Sequence, residues 1–329
     1  MAALFPETFY QQLRDWFRLN ARQLPWRGAS DPYAIMVSEF MLQQTQVATV
    51  IPYFNRWMAR FPTVQSLAAA SEQDVLSHWQ GLGYYSRAKN LHRTSIQIAE
   101  GLGRFPDNLA DMKKLPGMGD YTAGAILTFS GNARVPIVDA NIARVLARLF
   151  NFQQPIDSAD GRAKIWAYAA QLLPKENVGE FNAALMELGA LVCTPRPKCD
   201  SCPVINHCRA IQTGDPMRLP VKSPKAATTQ KVERALFLSN GELIALVQRT
   251  QNPWENMWVL PPMTHEPDVL EMPLVSHKYG ITRYRVTLEI YPAKSTSAEV
   301  RWCNPMELES LPIPSPHRRV LEALLLPVR

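Results

Sequence analysis

The chain has 329 residues, of which 47% are hydrophobic, and this length and composition indicate an ordered protein of two or three domains rather than a disordered one. A net charge of +6 is compatible with a polyanionic partner. Charges interrupt the first twenty residues, and no stretch approaches the roughly 18 consecutive apolar residues of a membrane span, so we expect neither a signal peptide nor a membrane protein.

Helices are predicted for the first two thirds of the chain. Apolar residues recur three and four positions apart over residues 33–61 and again over residues 74–102. Prolines such as Pro62 and Pro106 separate the helical stretches, and no strand-like alternation interrupts them. The pattern predicts an all-α region over residues 1–211.

A glutamate occupies an apolar face of one early predicted helix. Glu39 has Ile35 and Met36 one turn before it and Leu42 one turn after it. A solvated surface glutamate is the ordinary interpretation. A carboxyl group on such a face would instead resist ionisation, and a protonated carboxyl can act as a general acid near neutral pH.

Two glycines precede another predicted helix, in the segment LPGMGDYTAGAI at residues 115–126. Gly117 and Gly119 permit a tight turn whose backbone N–H groups point outward at a helix N-terminus, which suits a phosphate. The same pattern fits an ordinary turn between packed helices. Twenty residues after Gly119, Asp139 stands at the start of a further helix, where its plain role is that of an N-cap.

Four of the five cysteines lie within sixteen residues, in a C-x5-C-x2-C-x5-C pattern. Two disulfides within so short a loop would be strained, whereas four thiolates can bind zinc or an iron–sulfur cluster. Without an export signal, this pattern indicates a reducing cytoplasm. The fifth, Cys303, is interpreted as a small buried hydrophobic residue. The clustered cysteines are Cys193, Cys199, Cys202 and Cys208.

The composition changes after the cysteine loop. Residues 212–230 are polar, basic and rich in proline, as in an inter-domain linker. Beyond them, an Asn240-Gly241 dipeptide between apolar runs predicts a hairpin, with further strands and a closing helix from residue 315. Residues 231–329 are therefore predicted to form a small α+β domain.

These motifs together resemble the helix–hairpin–helix DNA glycosylases. Within that superfamily the segments SEFMLQQTQVATVIPYF, GLGYYSRAKNLH and FNAALMELGALVC are similar to the MutY family of adenine DNA glycosylases. The resemblance runs from about residue 8 to 211. Beyond the linker, QRTQNPWENMWVLP resembles the Nudix-like C-terminal domain of the same family.

The resemblance implies a monofunctional hydrolase that flips adenine out of a mispair with 8-oxoguanine or guanine and cleaves its N-glycosidic bond. Glu39 matches the family's acid, Asp139 the carboxylate that stabilises the cationic sugar, and Asn141 a residue that orients sugar or water. Tyr121 stands where bifunctional relatives resembling endonuclease III carry a nucleophilic lysine. Ala143 stands where some close relatives carry a lysine that traps the sugar. The resemblance therefore implies negligible lyase activity.

Other positions match the family's contacts with double-stranded DNA. Two of them would lie near the flipped adenosine, two would fill the space that the flipped base leaves in the stack, and three would wedge beside 8-oxoguanine. Inserted groups of this kind are needed because flipping a base breaks its stacking. In that order they are Trp26 and Arg27; Gln44 and Thr45; and Leu82, Gly83 and Tyr84.

The cysteine loop would then hold one [4Fe–4S] cluster on Cys193, Cys199, Cys202 and Cys208. The family commonly has six residues between its first two cysteines, whereas this chain has five. A basic surface around the loop would contact phosphates. It is contributed by Arg196, Lys198 and Arg209.

The C-terminal domain would help to read 8-oxoguanine in the opposite strand. It lacks the glutamate-rich helix that Nudix hydrolases need for their metal, so we expect no pyrophosphohydrolase activity. An alignment on RVTL places Ile281, Thr282 and Arg283 in the family's discriminating loop. A longer loop would instead use Ser276 and His277.

Two other functions compete with this interpretation. One is a bifunctional pyrimidine glycosylase/lyase like endonuclease III, disfavoured by Tyr121 and by the C-terminal domain. The other is a non-catalytic DNA-binding protein with a zinc-stapled helical domain, in which Glu39 and Asp139 would be inert. We expect a monomer, because an enzyme that clasps a duplex between two domains can work alone.

Overall fold

The computed structural model describes residues 5–224, 227–264 and 272–325. The chain forms two compact units, one of Met1–Ala68 with Arg93–Pro224 and one of Ala69–His92 with Lys225–Arg329. The second unit thus includes a short stretch of the helical region beside the C-terminal part. The division into residues 1–211, 212–230 and 231–329 stays a prediction from composition.

Helices account for the chain up to the linker, and the described residues contain no strand before Thr229, as the periodicity predicts. Some are short, and a π-helical stretch, Gln97–Leu102, extends the sixth. The helices are α1 (Glu7–Asn20), α2 (Pro32–Leu42), α3 (Val47–Arg60), α4 (Val64–Ala68), α5 (Glu72–Trp79), α6 (Ser86–Ile96), α7 (Leu109–Met112), α8 (Asp120–Gly131), α9 (Ala140–Leu149), α10 (Ala159–Leu172), α11 (Val178–Leu191) and α12 (Arg209–Gln212).

The core of the first unit forms where α1, α9 and α11 pack. Helix α9 has an apolar stripe at helical spacing, including Ile142, Val145 and Leu146, and all three are buried. Helix α2 differs, because every residue from Tyr33 to Met41 is buried. A helix that is apolar on all sides belongs inside a domain, and α2 packs against α8 there.

The second unit contains a small α+β region, as predicted. Strand β1 (Thr229–Phe237) runs parallel to β6 (Tyr284–Pro292), which pairs antiparallel with β5 (Val275–Ile281). The remaining four strands form a second group, in which one central strand pairs with the three others. Two helices follow these strands in the chain. These elements are β2 (Ser239–Asn240), β3 (Leu243–Gln248), β4 (Trp258–Val259), β7 (Arg301–Cys303), α13 (Pro305–Ser310) and α14 (Ser315–Leu325).

Local signals in this region are confirmed. Strands β2 and β3 form the hairpin expected at Asn240-Gly241, with Asn240 opposite Leu243 and Gly241 at a φ of +60°. The closing helix begins at Ser315, and Cys303 is fully buried in the core. None of the described helices combines the length and apolar character needed to cross a membrane.

Helices α9 and α11 pack closely at a glycine. A Cβ atom on Gly189 would lie 2.7 Å from Cβ of Asn141, so α9 can approach α11 this closely only because position 189 has no side chain. The close approach keeps the first turn of α9, with Asp139 and Asn141, against α11.

Gly189→Ala should therefore destabilise the protein by about 2 kcal/mol, as overpacking typically does. The control is Gly131→Ala at the end of α8, where a Cβ atom would meet no other atom within 4 Å. This control should be neutral or stabilise by up to about 1 kcal/mol, since alanine favours helix more than glycine does. Thermal unfolding of both full-length variants measures the difference, and equal effects would contradict the close packing.

Candidate active site

A cavity of about 1000 Å³ opens in the first unit, where residues of α2, α8, α9 and α11 meet. Its walls combine apolar side chains with four carboxyl groups, and two of these, Glu39 and Asp139, lie 100 positions apart in the chain. The structure brings eight of the predicted site residues into this cavity. They are Trp26, Arg27, Glu39, Gln44, Thr45, Tyr121, Asp139 and Asn141.

Glu39 is buried on α2, with 4% of its surface exposed, which confirms the prediction of an apolar environment. Burial is the main cause that raises the pKa of Glu39 to about 7; a hydrogen bond with Tyr121 lowers it and the charge of Asp139 raises it. Its Oε2 atom has no hydrogen-bond partner among the residues that the structure describes. A carboxyl group with this pKa is substantially protonated at neutral pH and can donate its proton to a molecule in the cavity.

Asp139 caps α9, as its position in the sequence predicts. Its Oδ1 atom accepts from the backbone N–H of Ile142 at 2.7 Å, and Oδ2 accepts from Nδ2 of Asn141 at 2.9 Å. Burial raises the pKa of Asp139, while these hydrogen bonds and the charge of Arg144 act in the opposite direction. Asp139 thus has donors that stabilise its ionised form, whereas no described residue donates to Oε2 of Glu39.

Tyr121 lies in the first turn of α8 and lines the same cavity as the two carboxyl groups. Its hydroxyl hydrogen-bonds with Glu39. Burial, followed by the charges of Glu39 and Asp139, raises the pKa of Tyr121 well above its ordinary value. The phenol therefore keeps its proton and is a neutral hydrogen-bond partner rather than a nucleophile at neutral pH.

A second buried carboxylate, which the sequence analysis missed, faces the same cavity. Glu187 on α11 accepts two hydrogen bonds from Arg22, at 2.9 and 3.1 Å, and a third from Arg27. Arg27 also stacks over the ring of Phe17. The signal that identified Glu39, a charge within an apolar helix, is present again at Glu187 in FNAALMELGAL. These bonds hold the segment that carries Trp26 against α11.

Two arginines on α9, also missed, join this site to the cysteine loop. Arg144 donates to Oδ1 of Asn141 at 2.8 Å and to the carbonyls of Gly189 and Cys193, both at 2.7 Å. Asp139, Asn141, Arg144 and the Cys193 backbone thus form one continuous hydrogen-bonded chain. Arginines four residues apart in the otherwise apolar ANIARVLARL were the available signal.

The second of these arginines, Arg148, is buried inside the cysteine loop. Its guanidinium donates to the carbonyls of Thr194 at 2.6 Å and Pro195 at 3.0 Å, and an Nη1 atom lies 3.3 Å from Sγ of Cys193. Its Nε atom donates to the carbonyl of Leu219 at 3.1 Å. One side chain therefore satisfies backbone carbonyls on both sides of the loop, which would otherwise be costly to bury.

The four clustered cysteines are all free thiols in this structure. Three of them pack against the core, and the thiols of Cys199, Cys202 and Cys208 interact electrostatically with that of Cys193. Within the described part of the chain, no three histidine, cysteine or carboxylate side chains are arranged around one metal-ion position. Four thiols in one short loop, one of them 3.3 Å from a buried guanidinium, are a donor set that suits an anionic iron–sulfur cluster.

The predicted phosphate-binding turn has the expected backbone. Gly117 has a φ of +74°, and Gly119 is the N-cap of α8 with no atom within 4 Å of a hypothetical Cβ. Lys113 pairs with Asp120 beside it. The turn therefore presents open backbone at a twelve-residue helix. Its role in binding phosphate stays a prediction.

The remaining predicted DNA contacts belong to the second unit. Leu82 is buried, whereas Tyr84 is 45% exposed and adopts a φ of +47°. Thr282 and Arg283 form the two-residue turn between β5 and β6. A longer loop around Ser276 and His277 is not formed, because both residues lie inside β5, paired with β6; that alternative is wrong.

Glu39→Gln should stabilise the protein increasingly as the pH rises. The folded chain retains the Glu39 proton up to about pH 7, whereas the unfolded chain releases it near the ordinary value of 4.5. Stability from this group is therefore complete below pH 4.5 and lost as pH rises to about 7. The gain from glutamine should reach about 3 kcal/mol above that window. Unfolding at pH 4.5 and pH 8 measures it, and a pH-independent difference would argue against the raised pKa.

Comparisons with known proteins agree with this architecture. A model of the HhH-GPD superfamily base excision DNA repair proteins matches residues 37–169. The chain is 36% identical to the adenine DNA glycosylase of Buchnera aphidicola (Schizaphis graminum) over 77% of this chain and 74% of that one. It is 44% identical to the adenine DNA glycosylase of Homo sapiens, over 62% of this chain and 40% of that protein.

Two solved structures share the helical fold. A thermostable thymine-DNA glycosylase aligns with a TM-score of 0.57 and 25% identity over 63% of this chain and 96% of its own. A non-covalent endonuclease III–DNA complex aligns with a TM-score of 0.53 and 19% identity over 64% of this chain and 98% of its own. The predicted helix–hairpin–helix glycosylase fold is confirmed, and this chain belongs to the adenine DNA glycosylase family of the HhH-GPD superfamily of base excision DNA repair proteins.

Proposed function

We propose that this protein is a monofunctional DNA glycosylase that hydrolyses the N-glycosidic bond of adenine mispaired with 8-oxoguanine or guanine. One observation carries the proposal. A buried carboxyl group whose pKa lies near 7, Glu39, shares a cavity with a carboxylate stabilised by N–H donors, Asp139. Groups of this kind with separated roles are what acid-assisted glycoside cleavage requires.

Glu39 would supply the proton. Adenine is a poor leaving group from deoxyribose unless one of its ring nitrogens is protonated. No described residue pairs with the Oε2 atom of Glu39, so this atom is available to a base in the cavity. After proton transfer the glutamate is ionised, and the same atom can accept a proton from the attacking water. The hydrogen bond from Tyr121 stabilises that ionised form.

Asp139 would stabilise the sugar as the bond breaks. Positive charge then develops on the ring, and a fixed carboxylate in a poorly solvated cavity stabilises that charge more strongly than water does. Asn141 holds Oδ2 of Asp139, and Arg144 holds Asn141 in turn. The orientation of Asp139 therefore depends on the first turn of α9 and not on rotation of a free side chain.

Adenine can reach Glu39 only outside the duplex, so the proposal requires base flipping. Trp26 and Arg27 line the cavity where a flipped nucleoside would enter. Gln44 and Thr45, which follow α2 in the chain, lie at the edge of the cavity. Gln44 has a φ of +57°, which turns the chain sharply after α2. Unstacking costs a few kcal/mol, roughly, and inserted side chains offset part of it. The Gly117–Gly119 turn would hold the backbone through phosphate contacts.

The chemistry would stop at base removal. A lyase step needs an amine that attacks C1′ of the sugar, and Tyr121 supplies a phenol instead. No lysine is among the described residues that line the cavity. Ala143, on α9, is buried and carries no nucleophile.

We propose that Cys193, Cys199, Cys202 and Cys208 hold one [4Fe–4S] cluster, which would supply a fixed anionic centre that organises the loop. Arg148 would complement its charge from inside the loop, at 3.3 Å from Sγ of Cys193. Arg196, Lys198 and Arg209 would then contact phosphates of double-stranded DNA.

In the second unit, Leu82, Gly83 and Tyr84 would contact the opposite base, together with Thr282 and Arg283. The exposed ring of Tyr84 is available for stacking. Arg283 lies with its guanidinium 5.3 Å from the ring of Tyr284 and presents a fixed cation at the β5–β6 turn. We propose that residues 231–329 act as a Nudix-like domain that reads 8-oxoguanine without hydrolysing nucleotides.

Glu39→Gln should slow adenine release from an A:8-oxoguanine duplex by roughly 10²- to 10⁴-fold, the usual loss when a general acid is removed. The parental rate should fall as pH rises through about 7, because Glu39 loses its proton there. Single-turnover release of adenine measures both. Glu242→Gln is the matched control, since Glu242 is exposed between β2 and β3 and is not among the residues that line the cavity. Parental activity in the Glu39 variant would refute the acid, and a covalent DNA adduct in borohydride would refute the monofunctional reaction.

The cluster has its own test. The purified protein should be brown and contain iron and sulfide, and Cys202→Ser should lose both together with the visible absorption. Cys303→Ser is the matched control, because Cys303 lies in the core of the α+β region and should leave iron content unchanged. A colourless protein with one bound zinc per chain would contradict the cluster and favour a zinc site.

A further inference from the structure

The second unit contains both segments that would contact the base opposite adenine. The loop of Leu82, Gly83 and Tyr84 comes from Ala69–His92, and the turn of Thr282 and Arg283 comes from the C-terminal part. Nearly 200 residues separate them in the sequence. Two segments can contact one base reliably only if each is held in place before binding, since ordering them during binding reduces affinity.

A buried lysine connects the parts of this unit. Lys89 on α6 has a side chain that is 10% exposed, and its Nζ atom lies 2.9 Å from Glu255 and 3.6 Å from Glu72 on α5. Nδ2 of Asn256 donates to the same Glu72 at 2.8 Å. These four residues, Glu72, Lys89, Glu255 and Asn256, are the Lys89 cluster. An ammonium group this buried requires its carboxylates, so the cluster ties α5 and α6 to residues 255–256.

On one side the cluster borders the Tyr84 loop. The backbone N–H of Lys89 donates to the carbonyl of Tyr85 at 3.1 Å. Arg87, two residues earlier, donates to the carbonyls of Leu82 and Gly83 at 3.0 and 3.1 Å. Trp79 donates to the Gly83 carbonyl from the other side, also at 3.1 Å. The position of the loop is therefore set by Trp79 at the end of α5 and by Arg87 in the first turn of α6, the turn that also carries Lys89.

On the other side the cluster borders the strand that leads to the Thr282–Arg283 turn. Trp254, next to Glu255, packs its ring 5.7 Å from that of Tyr279 on β5. The Tyr279 hydroxyl donates to Glu233 on β1 at 2.8 Å, which fixes the ring. Only three residues of β5 and its turn separate Tyr279 from Arg283. Contacts thus continue from the Tyr84 loop through Lys89 and Glu255 to this turn.

We propose that Lys89 is a positioning residue for recognition of the base opposite adenine, holding the Tyr84 loop and the Thr282–Arg283 turn so that both contact 8-oxoguanine together. Lys89 itself touches no substrate in this proposal, which rests on the proposed function above. Its loss should affect discrimination between 8-oxoguanine and guanine, and not the chemistry at Glu39.

The test compares adenine excision from A:8-oxoguanine and A:G duplexes under single-turnover conditions. Lys89→Met should lower the preference for 8-oxoguanine by about fivefold, within the range by which coupled networks respond to substitution. Excision from A:G should stay within about twofold of the parent. Glu255→Gln should lower the preference similarly. The double variant should lower the preference little further, because both substitutions remove the same Lys89–Glu255 ion pair.

The matched control is Arg234→Met, which removes the Arg234–Glu289 ion pair between β1 and β6 of the same unit and leaves the Lys89 cluster intact. It should keep the parental preference, and Lys89→Arg should retain most of it. An unchanged preference in both Lys89→Met and Glu255→Gln, or equal losses on both duplexes, would overturn the proposal. Should Lys89→Met not fold, Glu255→Gln decides, since Glu255 is half-exposed. A parent that excises no adenine would instead refute the proposed function.

Discussion

The burial of one carboxyl group governs the arrangement of the cavity. Helix α2 is apolar on nearly every side and lies inside the first unit, so Glu39 is removed from water with it. Desolvation raises its pKa to about 7. A buried acid without full hydrogen bonding is unfavourable for folding, and residues of this kind are typical of functional sites. Glu39 lines the cavity, and none of the described residues pairs with its Oε2 atom, so a bound molecule can supply the missing partner.

The neighbouring groups give the two carboxyl groups different environments. Asp139 receives backbone and side-chain donors at the start of α9, while Glu39 receives one hydrogen bond, from Tyr121. Asn141 and Arg144 extend the support of Asp139 to the backbone of Cys193. The absence of a side chain at Gly189 lets α9 come close enough for this chain of bonds. The cysteine loop and the cavity are therefore parts of one structure, built on a single helix.

Several features could be predicted from local sequence. The apolar neighbours of Glu39 indicated its burial, and the position of Asp139 indicated an N-cap. The Asn240-Gly241 dipeptide indicated the hairpin, because few residues other than Asn and Gly accept the backbone of that turn. The partners of Glu187, Arg148 and Lys89 could not be predicted, since they lie between 17 and 166 positions away. A charged residue within an apolar helix can be recognised in the sequence, but the residue that pairs with it cannot.

By itself the sequence determined the helices, the change to an α+β region, the cysteine pattern and the residue types available for acid chemistry. Those depend on interactions between residues close in the chain, such as capping, turn geometry and periodic burial. Only the tertiary structure decided that Glu39, Tyr121 and Asp139 share one cavity, and that residues 69–92 join the C-terminal unit. Packing brings together residues distant in sequence, and both the pKa of a carboxyl group and the partner of a buried charge depend on those neighbours.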